Sequence, residues 1–168
     1  MKVLVVVDMQ NDFIDGSLGS PEAVAIVPYV SRLVKAFDGE VIFTRDTHSE
    51  DYLCTREGKL LPVPHCIKGT HGWQITDALT VKEGSAIIDK PTFGSTELAA
   101  RLAGISGLTS VTLVGLCTDI CVISNAMLIK ARLPELDVTV DSRGCAGVTP
   151  ESHENALSVM RMCQIDII

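Results

Sequence analysis

Short apolar runs alternate with amphipathic stretches along nearly the whole chain, and that alternation leaves few folds open. Extended segments are predicted near 2–7, 40–44, 85–89, 110–114, 136–140 and 164–168, with helices over 21–37, 95–103, 119–131 and 150–163 between them. Runs that are apolar on both faces, such as Val3-Leu4-Val5-Val6-Val7, suit strands covered by helices above and below. Repeated βα units of this kind predict an α/β protein with three layers, a parallel sheet between helices. Pro21 and Pro150 fit first helical turns, with Ser20 and Thr149 as N-caps, and Gly39, Gly104 and Gly107 stand where helices should stop.

At 168 residues the chain reads as a single domain over 1–168, long enough for one substantial core. A net charge of -7, with no basic patch, argues against nucleic acid or an anionic membrane surface as the main partner. No apolar run approaches the length of a membrane span. Met1-Lys2-Val3-Leu4 looks like the start of a signal peptide, but Asp8 interrupts the run and no small-residue cleavage site follows, so it reads as a strand. Six cysteines without the dense spacing of a secreted scaffold predict a reduced, cytoplasmic protein. Cys117 and Cys121, one helical turn apart, can also be read as a regulatory disulfide pair.

Chemistry-bearing residues collect where strands end. Val111 to Val114 is a buried-strand pattern that turns through Gly115 into the predicted helix, placing Cys121 near a helix N-terminus, where the backbone dipole favours a thiolate. Asp8 follows the first strand directly, and Asp89-Lys90 closes the run from Ser85. In an open parallel sheet these ends line the ligand crevice at the point where strand order reverses. Asp8, Lys90 and Cys121 thus form a candidate acid, cation and nucleophile set.

Between Asp46 and Gly72 lie more than twenty residues read as a loop without helix or strand, too apolar to be disordered. Asp46 and His48, spaced i and i+2 off a strand end, can present oxygen and nitrogen to one cation, with Glu57 and His65 further along the loop. Such a mixed donor set suits zinc, manganese or iron rather than calcium. His71 and His153 read as structural.

Taken in order, these segments resemble the isochorismatase-like cysteine hydrolases, nicotinamidases in particular. The resembling segments are Val5-Val6-Val7-Asp8-Met9-Gln10-Asn11-Asp12-Phe13, Thr44-Arg45-Asp46-Thr47-His48, Pro62-Val63-Pro64-His65, Asp89-Lys90-Pro91-Thr92-Phe93 and Gly115-Leu116-Cys117-Thr118-Asp119-Ile120-Cys121. The resemblance implies a six-stranded sheet in the order 3-2-1-4-5-6, a non-proline cis peptide between Leu116 and Cys117, and an oxyanion hole from the backbone N–H groups of Cys117 and Cys121. It also implies a divalent metal, zinc first, on Asp46, His48, His65 and Glu57, and a substrate pocket walled by Phe13, Leu61 and Phe93. Leu60-Leu61 stands where nicotinamidases commonly carry an aromatic residue, and the spacings around Phe93 and Glu57 differ from theirs, which puts the substrate in question more than the chemistry.

The implied activity is hydrolysis of nicotinamide to nicotinic acid and ammonia through a Cys121 thioester, within pyridine nucleotide salvage, by an oligomer of identical chains. The alternatives are another cysteine hydrolase of the same family acting on a different small amide or carbamoyl compound, and a redox module using Cys117 and Cys121 as a thiol pair.

Overall fold

The computed structural model describes residues 1–168 and holds one six-stranded parallel sheet in the order β3-β2-β1-β4-β5-β6. The strands are β1 (Lys2–Val7), β2 (Glu40–Asp46), β3 (Ala86–Lys90), β4 (Ser110–Leu116), β5 (Asp137–Ala146) and β6 (Asp166–Ile167). The helices are α1 (Asn11–Ile14), α2 (Pro21–Ala36), α3 (Arg56–Leu60), α4 (Thr96–Ala103), α5 (Ile123–Arg132) and α6 (Pro150–Met162). None is long and apolar enough to cross a membrane.

Central β1 shows how the apolar run becomes two cores. Val3, Val5 and Val7 pack on one face with Leu98 and Leu102 of α4, Ala126 and Ile129 of α5, and Leu157 and Met160 of α6. Leu4 and Val6 pack on the other with Phe13 and Ile14 of α1 and Ala23, Ile26, Val30 and Val34 of α2. Side chains alternate across a strand, so five consecutive apolar residues serve both layers at once. The expected caps form: Ser20 Oγ accepts from Ala23 N, and Thr149 makes a reciprocal capping box with Ser152.

Several boundaries move, each for a local reason. The segment read as featureless contains a 3₁₀ turn at Tyr52–Cys54 and then α3, capped by Thr55, whose hydroxyl accepts from Gly58 N at 3.0 Å. The short α1 was not predicted. At the far edge β6 is only Asp166–Ile167, because Gln164 adopts φ 62° after α6 ends. The helix predicted from 119 begins as a π-type turn, Thr118–Val122, before α5 proper.

β5 runs to Ala146 where the sequence predicts an end near 140, since Asp141-Ser142-Arg143-Gly144 reads as a loop. Asp141 is buried and accepts from Tyr29 Oη of α2 at 2.7 Å and from Arg143 Nε and Nη2 at 2.8 Å each, so the polar run stays in the sheet with its charges paired. Burial alone would raise the Asp141 pKa, but the hydrogen bonds from Arg143 and Tyr29 and the Arg143 charge outweigh it and hold the carboxyl below its ordinary value. A folded-state pKa below the unfolded one gives stability that is complete above the unfolded value, about 4, and fades as pH falls through the lower folded value. Asp141→Asn is therefore expected to cost about 1–3 kcal/mol at pH 7, with the gap to wild type closing below about pH 4. Urea unfolding at neutral and acid pH measures both numbers.

Candidate active site

Four neighbouring strands deliver their C-terminal ends to one place. Asp8 follows β1 with φ 47°, Asp46 and Lys90 are the last residues of β2 and β3 and lie opposite each other in register, and Cys117 follows β4. The Leu116–Cys117 peptide is cis, as the resemblance implied. Gly115, at φ 119°, passes so close to the Val7 carbonyl oxygen that a Cβ could not fit. Beyond it the π-type turn, closed by Val122 N donating to Cys117 O at 3.0 Å, carries Cys121 back over the ends of β1 and β3. The strand order reverses between β1 and β4, which is where such sheets bind ligands.

The Lys90 ammonium sits at the centre, fully buried. Its Nζ lies 2.6 Å from Asp8 Oδ2, 3.4 Å from Asp46 Oδ1 and 3.5 Å from Cys121 Sγ, and it donates to the Thr92 carbonyl at 3.1 Å. Asp8 Oδ1 accepts from Thr44 Oγ1 at 2.7 Å. Asp8 Oδ2 pairs with the ammonium, and the Cys121 thiol faces the same carboxylate. Burial raises the Asp8 pKa against the opposing pull of Lys90, and burial together with the Asp8 charge pushes the Cys121 thiol well above its ordinary value. With Asp46 already ionised on another side of Lys90, both shifts favour one charge between Asp8 and Cys121 rather than one on each. Thiol and carboxylate therefore share a proton and titrate as a pair.

That corrects the expectation of a thiolate made by a helix N-terminus. A helix dipole contributes about 0.3–1 kcal/mol, whereas full burial can shift a pKa by about 3–5 units at about 1.4 kcal/mol each. At Cys121, burial wins.

Beside this triad the donor atoms of Asp46, His48, Glu57 and His65 all lie within 4.8 Å of one another. His48 Nε2 is 2.9 Å from Asp46 Oδ2, and His65 Nε2 is 3.6 Å from Asp46 Oδ2 and 3.7 Å from Glu57 Oε1. His65 Nδ1 is engaged with the Val63 carbonyl at 2.8 Å, which makes Nδ1 the donor and turns Nε2 toward the two carboxylates. In the neutral ring that nitrogen is a lone pair facing acceptors, an arrangement satisfied only by a proton or a cation. Burial lowers the His65 pKa, but Asp46, the Val63 carbonyl and Glu57 outweigh it and raise the value, while Asp46 is held far below the carboxylate range by His48, His65 and Lys90 despite its burial. Buried nitrogen and oxygen donors in this number fit zinc, manganese or iron. Glu57 reaches the cluster from the first turn of α3, where the sequence predicts only loop.

A cavity of about 570 Å³ opens onto both groups, lined by Cys117, Cys121, Asp46, Glu57 and His65 together with Phe13, Leu61 and Phe93. All the residues proposed from the sequence for nucleophile, acid, cation, metal and pocket thus lie around one space, Asp8, Lys90 and His48 just behind its wall. Burial pushes the Cys117 thiol up to about 12, so its side chain is a neutral wall.

The supporting residues were missed. Gln10, fully buried, accepts from Asp46 N at 2.7 Å and donates to the Asp46 carbonyl at 2.9 Å, locking the end of β2 to that of β1. Asp12 Oδ2 accepts from Cys66 N at 2.8 Å and holds the His65 segment. Tyr52 packs against both the His48 and His65 rings, with centroids at 4.7 and 5.0 Å. Asn125 donates to the Cys121 carbonyl at 2.8 Å and the Phe93 carbonyl at 3.2 Å and accepts from Ser95 N at 2.9 Å, tying the nucleophile's turn to the pocket wall. Its signal was available: a polar residue four positions after Cys121, on the inward face of an apolar helix. His153, read as structural, contacts Thr118 Oγ1 through Nδ1 at 2.8 Å and braces the same turn from α6.

The model of the isochorismatase domain matches residues 2–168. The chain belongs to the isochorismatase family. As a family member it is a hydrolase. The nicotinamidase of Schizosaccharomyces pombe is 27% identical over 98% of this chain and 91% of its own length, and the nicotinamidase/pyrazinamidase of Mycobacterium tuberculosis is 27% identical over 100% and 98%. The crystal structure of the pyrazinamidase of Pyrococcus horikoshii in complex with zinc superposes with a TM-score of 0.87 at 30% identity, over 99% of this chain and 98% of that one.

If the isochorismatase-family cluster holds an ion, His65→Ala is expected to lower zinc affinity by about 100-fold or more and Glu57→Gln by about tenfold, read by competition with a chromophoric chelator. Equal affinities in both variants and wild type would remove the cluster from metal binding.

Proposed function

We propose that the protein is a nicotinamidase-type amidohydrolase, converting nicotinamide and water to nicotinic acid and ammonia through a thioester on Cys121. The observation that carries this reading is the buried Lys90 ammonium, 2.6 Å from Asp8 and 3.5 Å from Cys121, whose sulfur lines a cavity shared with a nitrogen and oxygen donor cluster.

Asp8 takes the thiol proton as Cys121 Sγ attacks the carboxamide carbon. Charge moves from carboxylate to sulfur inside a pair already neutralised by Lys90, so no new net charge is buried. The backbone N–H groups of Cys117 and Cys121 receive the developing oxyanion. Asp8 returns its proton to the leaving nitrogen, the C–N bond breaks, and ammonia departs. Water, deprotonated by Asp8, then hydrolyses the thioester and releases the acid and the thiol. A divalent ion on Asp46, His48, Glu57 and His65, zinc before manganese or iron, would supply a Lewis-acidic anchor for a ring nitrogen of the substrate. Phe13, Leu61 and Phe93 supply apolar walls around the ring. A small neutral amide is the expected partner, in a cytoplasmic homo-oligomer.

The test is ammonia release from nicotinamide before and after treatment with a chelator. Activity on nicotinamide that falls with metal removal supports the reading, and ammonia released only from unrelated amides would favour the other cysteine hydrolases of the family. Cys121→Ala is expected to lower turnover by about a thousandfold or more with metal content unchanged, and Asp8→Asn by about 10²–10⁴-fold. Ammonia release by Cys121→Ala at the wild-type rate would refute the nucleophile.

A further inference from the structure

Thr44 is a polar side chain where the fold asks for an apolar one. It is fully buried in β2, on the face that Ile42 gives to the core shared with α4, α5 and α6. Valine has nearly the same shape, and a hydroxyl in that position is costly unless it is bonded. Thr44 is bonded on both sides, each time to Asp8. Its Oγ1 donates to Asp8 Oδ1 at 2.7 Å and accepts from Asp8 N at 3.3 Å, beside the bond from Asp8 N to the Thr44 carbonyl at 3.2 Å. The hydroxyl thus grips the backbone and the carboxylate of one residue. Asp8 needs the grip, because it stands at φ 47°, a left-handed conformation that persists only where its surroundings hold it.

The two oxygens of Asp8 are therefore not equivalent. The torsion that turns an aspartate carboxylate is broad when nothing fixes it, and here the Thr44 hydroxyl fixes it at Oδ1. Oδ2 receives no hydroxyl and no backbone N–H; it has the Lys90 ammonium 2.6 Å away, and Cys121 Sγ lies 3.5 Å from that same ammonium. Neither Thr44 nor Asp8 lines the cavity, so Thr44 reaches the reaction only through this carboxylate.

We infer that Thr44 is a positioning residue for the hydrolysis: its hydroxyl holds Oδ1 and so aims Oδ2 of Asp8, the oxygen that takes the proton from sulfur and returns it to the leaving nitrogen. This rests on the amidohydrolase reading and deepens it. The same bond stabilises the ionised carboxylate and makes Asp8 a weaker base, which works against the reaction. A bond to a charged group shifts proton affinity by about 10- to 100-fold, and a rate expresses only part of that. Misplacing a reacting group by about 1 Å costs about 100-fold. Aim outweighs base strength, and losing the hydroxyl slows turnover.

The experiment measures kcat and KM for ammonia release from nicotinamide, with zinc supplied, by wild type, Thr44→Val, Thr44→Ser and Thr44→Ala, and the zinc affinity of each by competition with a chromophoric chelator. Thr44→Val keeps the shape and loses the hydroxyl, and is expected to lower kcat by about tenfold or more. Thr44→Ser keeps the hydroxyl and loses the methyl, and is expected to stay within about threefold of wild type. Asp8 serves both halves of the reaction from behind the cavity wall, so KM is expected to move by less than about threefold, and zinc affinity by no more. A role confined to packing predicts the reverse order, with Thr44→Val close to wild type and Thr44→Ser impaired. Serine against alanine isolates the hydroxyl a second time and decides the question if Thr44→Val does not fold. Turnover by Thr44→Val at the wild-type rate, Thr44→Ser as slow as Thr44→Ala, or a loss of turnover matched by a loss of zinc affinity overturns this inference and leaves the proposed function standing. No ammonia from nicotinamide with wild type overturns both.

Discussion

A single ammonium inside the protein holds its working end together. Lys90 faces Asp8, Asp46 and Cys121 at once, from the last position of edge strand β3, whose neighbour β2 supplies Asp46 and beyond which β1 leads into Asp8. Removing one member of such a buried set leaves uncompensated charge, at a cost of about 3–5 kcal/mol. The arrangement is a poor way to gain stability, since well-packed apolar residues would serve as well or better. It makes chemical sense because it places one proton between two acids, a carboxylate and a thiol, beside one fixed positive charge. Asp46 extends the set: one oxygen faces Lys90 and the other faces His48 and His65, so the nucleophile's surroundings and the donor cluster share a residue.

The sheet exists, for this purpose, as a device for aiming strand ends. β1 lies between β2 and β4, Gly115 lets β4 run against the end of β1, and Gln10 pins the end of β2 with three hydrogen bonds in all, one of them to the Trp73 carbonyl. Asn125 does the corresponding work for the turn carrying Cys121. These amides touch no reacting atom in the proposed chemistry, yet a loosened Asp46 or Cys121 would place every distance in the site at risk.

What was legible in the sequence follows from how local each signal is. The run Val3 to Val7 announces a buried parallel strand by itself, and residues placed immediately after strands, Asp8 and Lys90, inherit their location from topology. Asp141 to Gly144 misled because its polarity is resolved by partners, including Tyr29 more than a hundred residues away, that no local pattern contains. Glu57 was hard to place because its position depends on a five-residue helix held by a cap. The acidity of Cys121 was read in the wrong direction, since a helix start is visible in sequence and depth of burial is not. Family resemblance supplied what neither composition nor period contains, the strand order and the cis peptide.

If the proton shared by Asp8 and Cys121 is what the Lys90 charge serves, sulfur must become covalently acylated during turnover. Mass spectrometry of the enzyme, acid-quenched within its first turnovers of nicotinamide and mapped by peptide, tests that most directly. The account predicts a nicotinoyl group on Cys121 and on no other cysteine. Ammonia released at the full rate with Cys121 unmodified throughout, or an acyl group found on a different residue, would contradict it.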